Sequence, residues 1–437
     1  MASVRLKQLL PLLVSIAGLF NQSIQAQPLT DALQRIVQRN TSANARANQL
    51  ETIRQKLHPT QLDPNLIPLD QTKHWQDLLW AIAVLEPQQP LIAQTLNQIL
   101  SSSPPPTLTT LALGVAHQLY TSGSDIYQNL ATPITTIANQ SQNPEWVALA
   151  IATLGSQSIA NLESRFDLKL PQNLRLATSL QPIPATNPPL AELLNHQIAS
   201  DQLHLFILCH PDRALLCQAI LRDRQGKFWR SPNGQIWRLP LLSQSLHRLP
   251  WNFTHGHTPQ GIYRLEGTAP QQLKSLKDLP TDSEFQAYGQ FPLVKLYLPF
   301  ETQVKEFLPN QPGAFKAPIH HYQNLLPFSW RNHLPLQQSY WAGKLGRSLI
   351  RIHGTGFSDR YFRADTSPNP GWNPALGCLS AQEIYDHEGK LIQADMPKIL
   401  TALEQAGNGE ITGYVILVEL DSQSWDQFWA VVTDQID

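Results

Sequence analysis

Residues 349–355 read Leu-Ile-Arg-Ile-His-Gly-Thr. In an extended strand successive side chains alternate between faces, so Leu349, Arg351 and His353 share one face while Ile350 and Ile352 share the other. The isoleucine pair suits a core, and Arg351 and His353 then look into a more polar cleft. Outward from this stretch, short apolar or alternating runs recur at 203–208, 215–221, 261–265, 293–298, 348–352 and 414–420, separated by Gly, Pro and Asn turns. They predict a mainly β domain over residues 201–437, with one helix at 394–406 ending on Gly407-Asn408-Gly409. Residues 27–180 read as helical instead. Their apolar residues recur at helical spacing in 29–37, 45–57, 75–85, 90–100, 108–120 and 146–154, with breaks at Glu86-Pro87 and at Ser101–Pro106. Trp75–Leu85 resembles Trp146–Leu154. Their separation fits two units of about 35 residues, as in stacked helical repeats; a plain helical bundle fits too. A Pro/Asn-rich connection spans 181–200. The expected fold class is α+β and multidomain, a helical N-terminal region followed by a mainly β domain.

A second stretch carries the chemistry: Ala375-Leu-Gly-Cys378-Leu-Ser-Ala-Gln-Glu383. Gly377 permits an unusual backbone angle just before the thiol. Ser380 with Glu383 three residues on has the pattern of a capping box, which predicts a helix start over Ser380–Tyr385. A thiol just ahead of a helix N-terminus has a lowered pKa and a larger thiolate fraction. The chain has three cysteines. Cys209 and Cys217 lie in two apolar runs joined by His210-Pro211-Asp212-Arg213, where they form either a hairpin disulfide or two buried thiols. In both cases Cys378 is the odd one, and an unpaired cysteine in an exported chain points to a reactive thiol.

The Ile352-His-Gly-Thr355 and Gly377-Cys378 motifs resemble the signature of the L,D-transpeptidase (YkuD-like) catalytic domain. Thr258-Pro-Gln-Gly-Ile-Tyr263 resembles the strand opening of that family, and Gly343–Thr355 has the β approach to its histidine. The likeness covers roughly residues 200–425. The chain departs from the family pattern at Ala375 and Leu376, where Ser and a small or His residue are usual, and at Ser380, where Arg or Asn is usual. The spacing from His353 to Cys378 is also longer, and the extra chain carries Arg360, Tyr361, Arg363 and Trp372. The resemblance implies Cys378 as nucleophile and His353 as its base or ion-pair partner, with the N–H groups of Gly377 and Cys378 facing the oxyanion. It implies a peptidoglycan stem peptide as acyl donor, a thioester intermediate, and an amine as acceptor. Arg351, Arg360 and Arg363 are candidates to clamp a substrate carboxylate, since guanidinium binds carboxylate in bidentate fashion; Thr355 and Trp372 complete the expected substrate-binding set. For Arg351 a structural salt bridge, for instance to Glu383, is the alternative. Two other functions compatible with the motifs are a cysteine hydrolase (L,D-carboxypeptidase or amidase) and a non-catalytic binder of wall peptides. No cofactor or metal is expected: His255-x-His257 lacks an evident third ligand, and His320-His321 and His387 stand alone.

With 32 basic and 33 acidic residues, the formal net charge of −1 gives no basic face for nucleic acid. Arg5 and Lys7, the apolar run Leu9–Phe20 and the small residue Ala26 predict a signal peptide over residues 1–26. That run is shorter than the roughly 20 residues of a membrane span. The expected location is the periplasm or cell wall, with no stable membrane insertion after cleavage. The helical half is expected to dock, orient or recruit a protein partner.

Overall fold

Proline and short polar side chains set where the first helices begin. The computed structural model describes residues 42–102, 104–155, 186–269, 291–355 and 371–433. The expected signal peptide, the 29–37 helix, Arg360, Tyr361 and Arg363 lie outside the described residues. Among the described residues of the first half there are six α-helices: α1 (Ala43–Lys56), α2 (Thr72–Leu85), α3 (Pro90–Ser101), α4 (Pro106–Tyr120), α5 (Ala131–Gln140) and α6 (Pro144–Leu154). Pro90, Pro106 and Pro144 each open a helix, where the missing N–H costs nothing and the fixed φ is already helical. Asn143 caps α6 by accepting the Glu145 N–H at 2.9 Å. The Ser101–Pro106 break is therefore the junction of α3 and α4. Helix α1 buries no side chain, although its sequence has helical spacing.

Helix α4 is buried along most of its length and packs between α2 and α6, the two Trp-bearing helices. These helices share one apolar core, and Leu246, Leu249 and Phe253 from the second half of the chain insert into it.

The second half is built on twelve strands: β1 (Leu203–Cys209), β2 (Cys217–Arg222), β3 (Arg238–Leu241), β4 (Gly261–Ala269), β5 (Leu293–Tyr297), β6 (Glu306–Leu308), β7 (Gln311–Pro312), β8 (Arg351–Gly354), β9 (Leu379–Ala381), β10 (Glu383–Tyr385), β11 (Leu391–Ala394) and β12 (Thr412–Glu419). Five α-helices accompany them, both counts being of the described residues: α7 (Leu190–Asn195), α8 (Ile319–Gln323), α9 (Gln338–Lys344), α10 (Met396–Ala406) and α11 (Ser422–Thr433). Eight strands form one mixed sheet in the order β3-β2-β1-β12-β4-β5-β8-β9. The β1/β12 and β8/β9 pairs are parallel and the rest antiparallel. Its two ends approach each other, because Leu242 and Ser380 exchange backbone hydrogen bonds of 2.9 Å in each direction, so the sheet is nearly closed. The α+β class expected from sequence is the observed one.

Both faces of the sheet are covered. Leu203, Leu205, Ile207, Val415 and Leu417 pack on one side with α10, while Phe206, Leu208, Tyr414, Ile416 and Val418 pack on the other with Trp330 and Trp425. This explains why β1 and β12 read as continuous apolar runs rather than alternating ones. Residues 190–195 of the Pro/Asn-rich connection are helical and bury Leu190, Leu193 and Leu194 in that second core. Gly261 opens β4 at φ 130, and a Cβ there would lie 2.3 Å from Ser339 Oγ and 2.5 Å from Tyr322 Oη. Only glycine fits this approach.

Two expectations are resolved here. Cys209 and Cys217 are joined in a disulfide at the loop end of the β1/β2 hairpin, which leaves Cys378 as the free cysteine. The helix expected over Ser380–Tyr385 is instead strand, β9 followed by β10. The physical reason is that Leu379 and Ala381 alternate into the core while the backbone pairs with β8 on one side and Leu242 on the other. Those N–H groups are taken by the sheet, so no helix N-terminus follows the thiol.

Candidate active site

Strands β8 and β9 run parallel, with His353 opposite Ser380 and Ile352 opposite Leu379. Paired residues point to the same side of a sheet, and successive residues to opposite sides. Ile350, Ile352, Leu379 and Ala381 accordingly enter the core. His353 and Ser380 face the other way, as does Cys378 at the mouth of β9. There they line a cleft of about 310 Å³ together with Thr355, Arg347, His255, Leu349 and Leu376. The two residues that the sequence marked as nucleophile and base thus share one cavity.

The backbone before the thiol is firmly held. Gly377 has φ +98, and a Cβ there would sit 2.6 Å from Arg347 Nη2 and 2.8 Å from the Gly256 carbonyl. Thr258 Oγ1 donates to the Gly377 carbonyl at 3.0 Å, and Leu246 N–H donates to the Ala375 carbonyl at 3.0 Å. The segment 242–258 therefore forms one wall of the site, and it is the same segment that plants Leu246, Leu249 and Phe253 in the helical core. Polar contacts fasten the junction. Arg248 makes an ion pair with Glu86 at 2.8 Å, Gln118 Nε2 donates to Glu86 Oε1 at 2.9 Å, and His247 Nδ1 and Gln118 Oε1 lie 3.1 Å apart. The helical half is thus a structural support of the cleft.

Both candidate residues are buried, Cys378 at 8% and His353 at 4% exposure. The thiol donates to the Leu349 carbonyl at 3.5 Å. Burial pushes the thiol pKa above its ordinary 9.0; the Arg351 backbone N–H and the charges of Arg351 and Arg347 oppose this, and Glu301 adds to it. Burial holds the His353 imidazole down at about 4, against the opposing effect of its bond to the Gly354 carbonyl. That bond, at 2.6 Å, places the ring proton on Nδ1 and makes Nε2 the acceptor nitrogen. At neutral pH the resting pair is a neutral thiol and a neutral imidazole. The thiol is followed by strand and not by the helix expected from sequence, and among the described residues the cations acting on the sulfur are Arg347 and Arg351.

Arg351 has its guanidinium turned to β5, where Nη1 donates to the Leu296 carbonyl at 3.1 Å and to the Ile350 carbonyl at 2.7 Å, with Tyr297 beneath it at 5.5 Å. It does not line the cleft. Thr355 lines it, and its hydroxyl bridges the carbonyls of Gly371 (2.6 Å) and Ala381 (2.9 Å). Trp372 is buried and outside the cleft lining, its Nε1 without a partner among the described residues. His257 does not act with His255: its Nδ1 accepts the Ser245 N–H at 3.1 Å, and burial holds it at about 3. Among the described residues no group of three or more His, Cys, Asp or Glu is placed to hold a metal, and no helix is long and apolar enough to cross a membrane.

No family model, curated protein or solved structure matches the chain. The expectation of a nucleophile and a base accordingly rests on the two motifs and the chemistry of their surroundings. Sequence reading passed over Arg347 and Glu301. Arg347 stood within the Gly343–Thr355 run, but nothing in its neighbours marks a buried cation. Glu301 follows β5 and reaches the site only through the β5/β8 pairing.

Proposed function

We propose that this chain is a cysteine acyl-transfer enzyme of the L,D-transpeptidase kind, acting on peptidoglycan stem peptides outside the cytoplasm. The observation that carries the reading is that His353 on β8 and Cys378, just ahead of the parallel neighbour β9, line one cleft, the thiol directly after a glycine turn. The Cys209–Cys217 disulfide supports an oxidising compartment.

In this reading a stem peptide enters the cleft with the carbonyl of its third-position residue over Cys378. His353 Nε2 takes the thiol proton, and the sulfur forms a bond to the carbonyl carbon as the π electrons move to oxygen. The N–H groups of Gly377 and Cys378 are the candidate donors to that oxyanion. Collapse breaks the C–N bond, the imidazolium proton passes to the leaving D-amino acid, and a thioester remains. An amine of a second stem peptide then attacks the thioester, and His353 takes and returns a proton in the reverse sense. The resting protonation states set the demand on the site. A thiol held above its ordinary range by burial and an imidazole held down at about 4 leave a gap against proton transfer in the resting site. Substrate and nearby cations must lower that gap.

Incubation with a tetrapeptide stem, with and without an acceptor amine, tests the reading by product analysis. A cross-linked dimer that needs the acceptor supports transfer, and a tripeptide formed without it identifies the hydrolase. Full turnover by Cys378→Ser would exclude a thiol mechanism. The helical half, which the structure joins to the cleft wall, is the candidate surface for a protein partner.

A further inference from the structure

Two buried charges of opposite sign stand near the thiol, and neither belongs to the Cys378–His353 pair. Arg347 is 8% exposed. Its guanidinium donates to the carbonyls of Trp251, Gly256 (3.0 Å) and His257 (2.9 Å), so its acceptors among the described residues are all neutral. It lines the cleft, and its Nη2 abuts Gly377 so closely that no side chain fits between them. A cation caged by neutral dipoles keeps its field, and the adjacent backbone turn aims that field at the nucleophile.

Glu301, also 8% exposed, accepts the Leu349 N–H on Oε1 at 3.0 Å, while its Oε2 has no partner among the described residues. Leu349 is a non-glycine residue at φ +63, and its carbonyl receives the Cys378 S–H. One strained residue thus links the carboxylate on its N–H side to the thiol on its carbonyl side.

We propose that Arg347 and Glu301 are opposed positioning residues for Cys378: Arg347 stabilises the thiolate and the anion that follows it, and Glu301 holds the resting thiol protonated against the Leu349 carbonyl. The proposal rests on the reading of Cys378 as nucleophile. The charged and titratable groups facing these residues are few. Cys378 is faced by Arg347, Arg351, Glu301 and His353. Glu301 is faced by Arg351 of β8 and by Tyr297 and Tyr263 of β5 and β4. Arg347 is faced by Tyr263, His255 and His257. Burial pushes Glu301 up to about 7, so its charge, and with it the restraint on the thiol, is lost as pH falls through neutrality.

The test is the pH profile of Cys378 alkylation by iodoacetamide in the full chain with its disulfide intact, where one free thiol reports. Arg347→Gln, or Arg347→Met as a second neutral variant, raises the alkylation midpoint by about one pH unit, a roughly ten-fold loss of rate below the midpoint. Arg347→Lys restores most of it. Glu301→Gln keeps an acceptor for Leu349 but not the charge, and lowers the midpoint. Loosened packing relieves burial and lowers the midpoint in every variant, so a rise in the Arg347 variants cannot come from damage. Neutral Arg347 variants with an unchanged or lowered midpoint overturn the proposal. Should those variants fail to fold, Glu301→Gln decides alone, at a thermal midpoint matched to the unsubstituted chain: a lowered alkylation midpoint supports the proposal and an unchanged one overturns it. Opposite shifts without any acyl adduct would retain the electrostatic control and sink the acyl-transfer reading; an adduct without shifts would do the reverse.

Discussion

Phe253 ties the helical half to the wall of the Cys378 cleft, and its removal has a calculable effect at both ends. The ring is 3% exposed and belongs to the helical core with Leu246 and Leu249. Truncation of such a phenylalanine to alanine costs about 3–5 kcal/mol. The same residue lies between Trp251, Gly256 and His257, whose carbonyls hold Arg347, and its own carbonyl accepts the Gly256 N–H at 3.0 Å. Phe253→Ala therefore loosens the turn as well as the core. Urea unfolding followed by tryptophan fluorescence reads the first effect, and the rate of Cys378 alkylation at neutral pH reads the second. We expect Phe253→Ala to lose about 3–5 kcal/mol and to be alkylated faster, because burial is the leading cause that raises the thiol pKa. A variant within ~0.5 kcal/mol of the unsubstituted chain and alkylated at the same rate would refute the view that the helical half braces the cleft.

Acid sensitivity follows from the histidines. His117, His204, His333 and His353 are held at about 4 and His247 and His257 at about 3, in each case first by burial. The unfolded chain binds these protons near 6.5 and the folded chain does not, so stability is lost as pH falls from about 6.5 toward 4. Glu301, raised to about 7, works in the opposite sense between 7 and its ordinary 4.5, one group against six. Urea midpoints measured from pH 7.5 to 4.5 should be flat at first and then fall; a rise over that range contradicts the burial of these imidazoles. The Cys209–Cys217 disulfide closes a loop with a sequence separation of 8, and its removal in a double Cys→Ser variant should cost about 2.5 kcal/mol on the chain-entropy account. No change in unfolding free energy would count against that account.

Much of this architecture was legible because burial leaves a mark on local sequence. The runs at 203–208 and 414–420 lack polar alternation because β1 and β12 are covered on both faces. The alternation over 349–353 correctly put Ile350 and Ile352 in the core and His353 in the cleft, although Ile350 also edges the cleft and Arg351 does not line it. It failed for the start of the strand, since Leu349 adopts a positive φ and β8 begins at Arg351. The Ser380-to-Glu383 spacing satisfied a capping pattern, yet pairing to β8 and Leu242 claims the same backbone groups, and tertiary pairing outweighs a local box. Glu383 packs instead against Gly354, and its Oε2 accepts from the Tyr385 hydroxyl at 2.8 Å. Arg347, Glu301 and the 242–258 wall were illegible because their roles depend on contacts between segments far apart in the chain.

The central claim is that Cys378 becomes acylated. Intact-mass spectrometry of the full chain after incubation with a tetrapeptide stem, followed by peptide mapping, addresses it directly. The account predicts an added acyl mass on the peptide containing Cys378, absent in Cys378→Ser and suppressed in His353→Ala. An unmodified chain under conditions where the stem peptide is bound would contradict it.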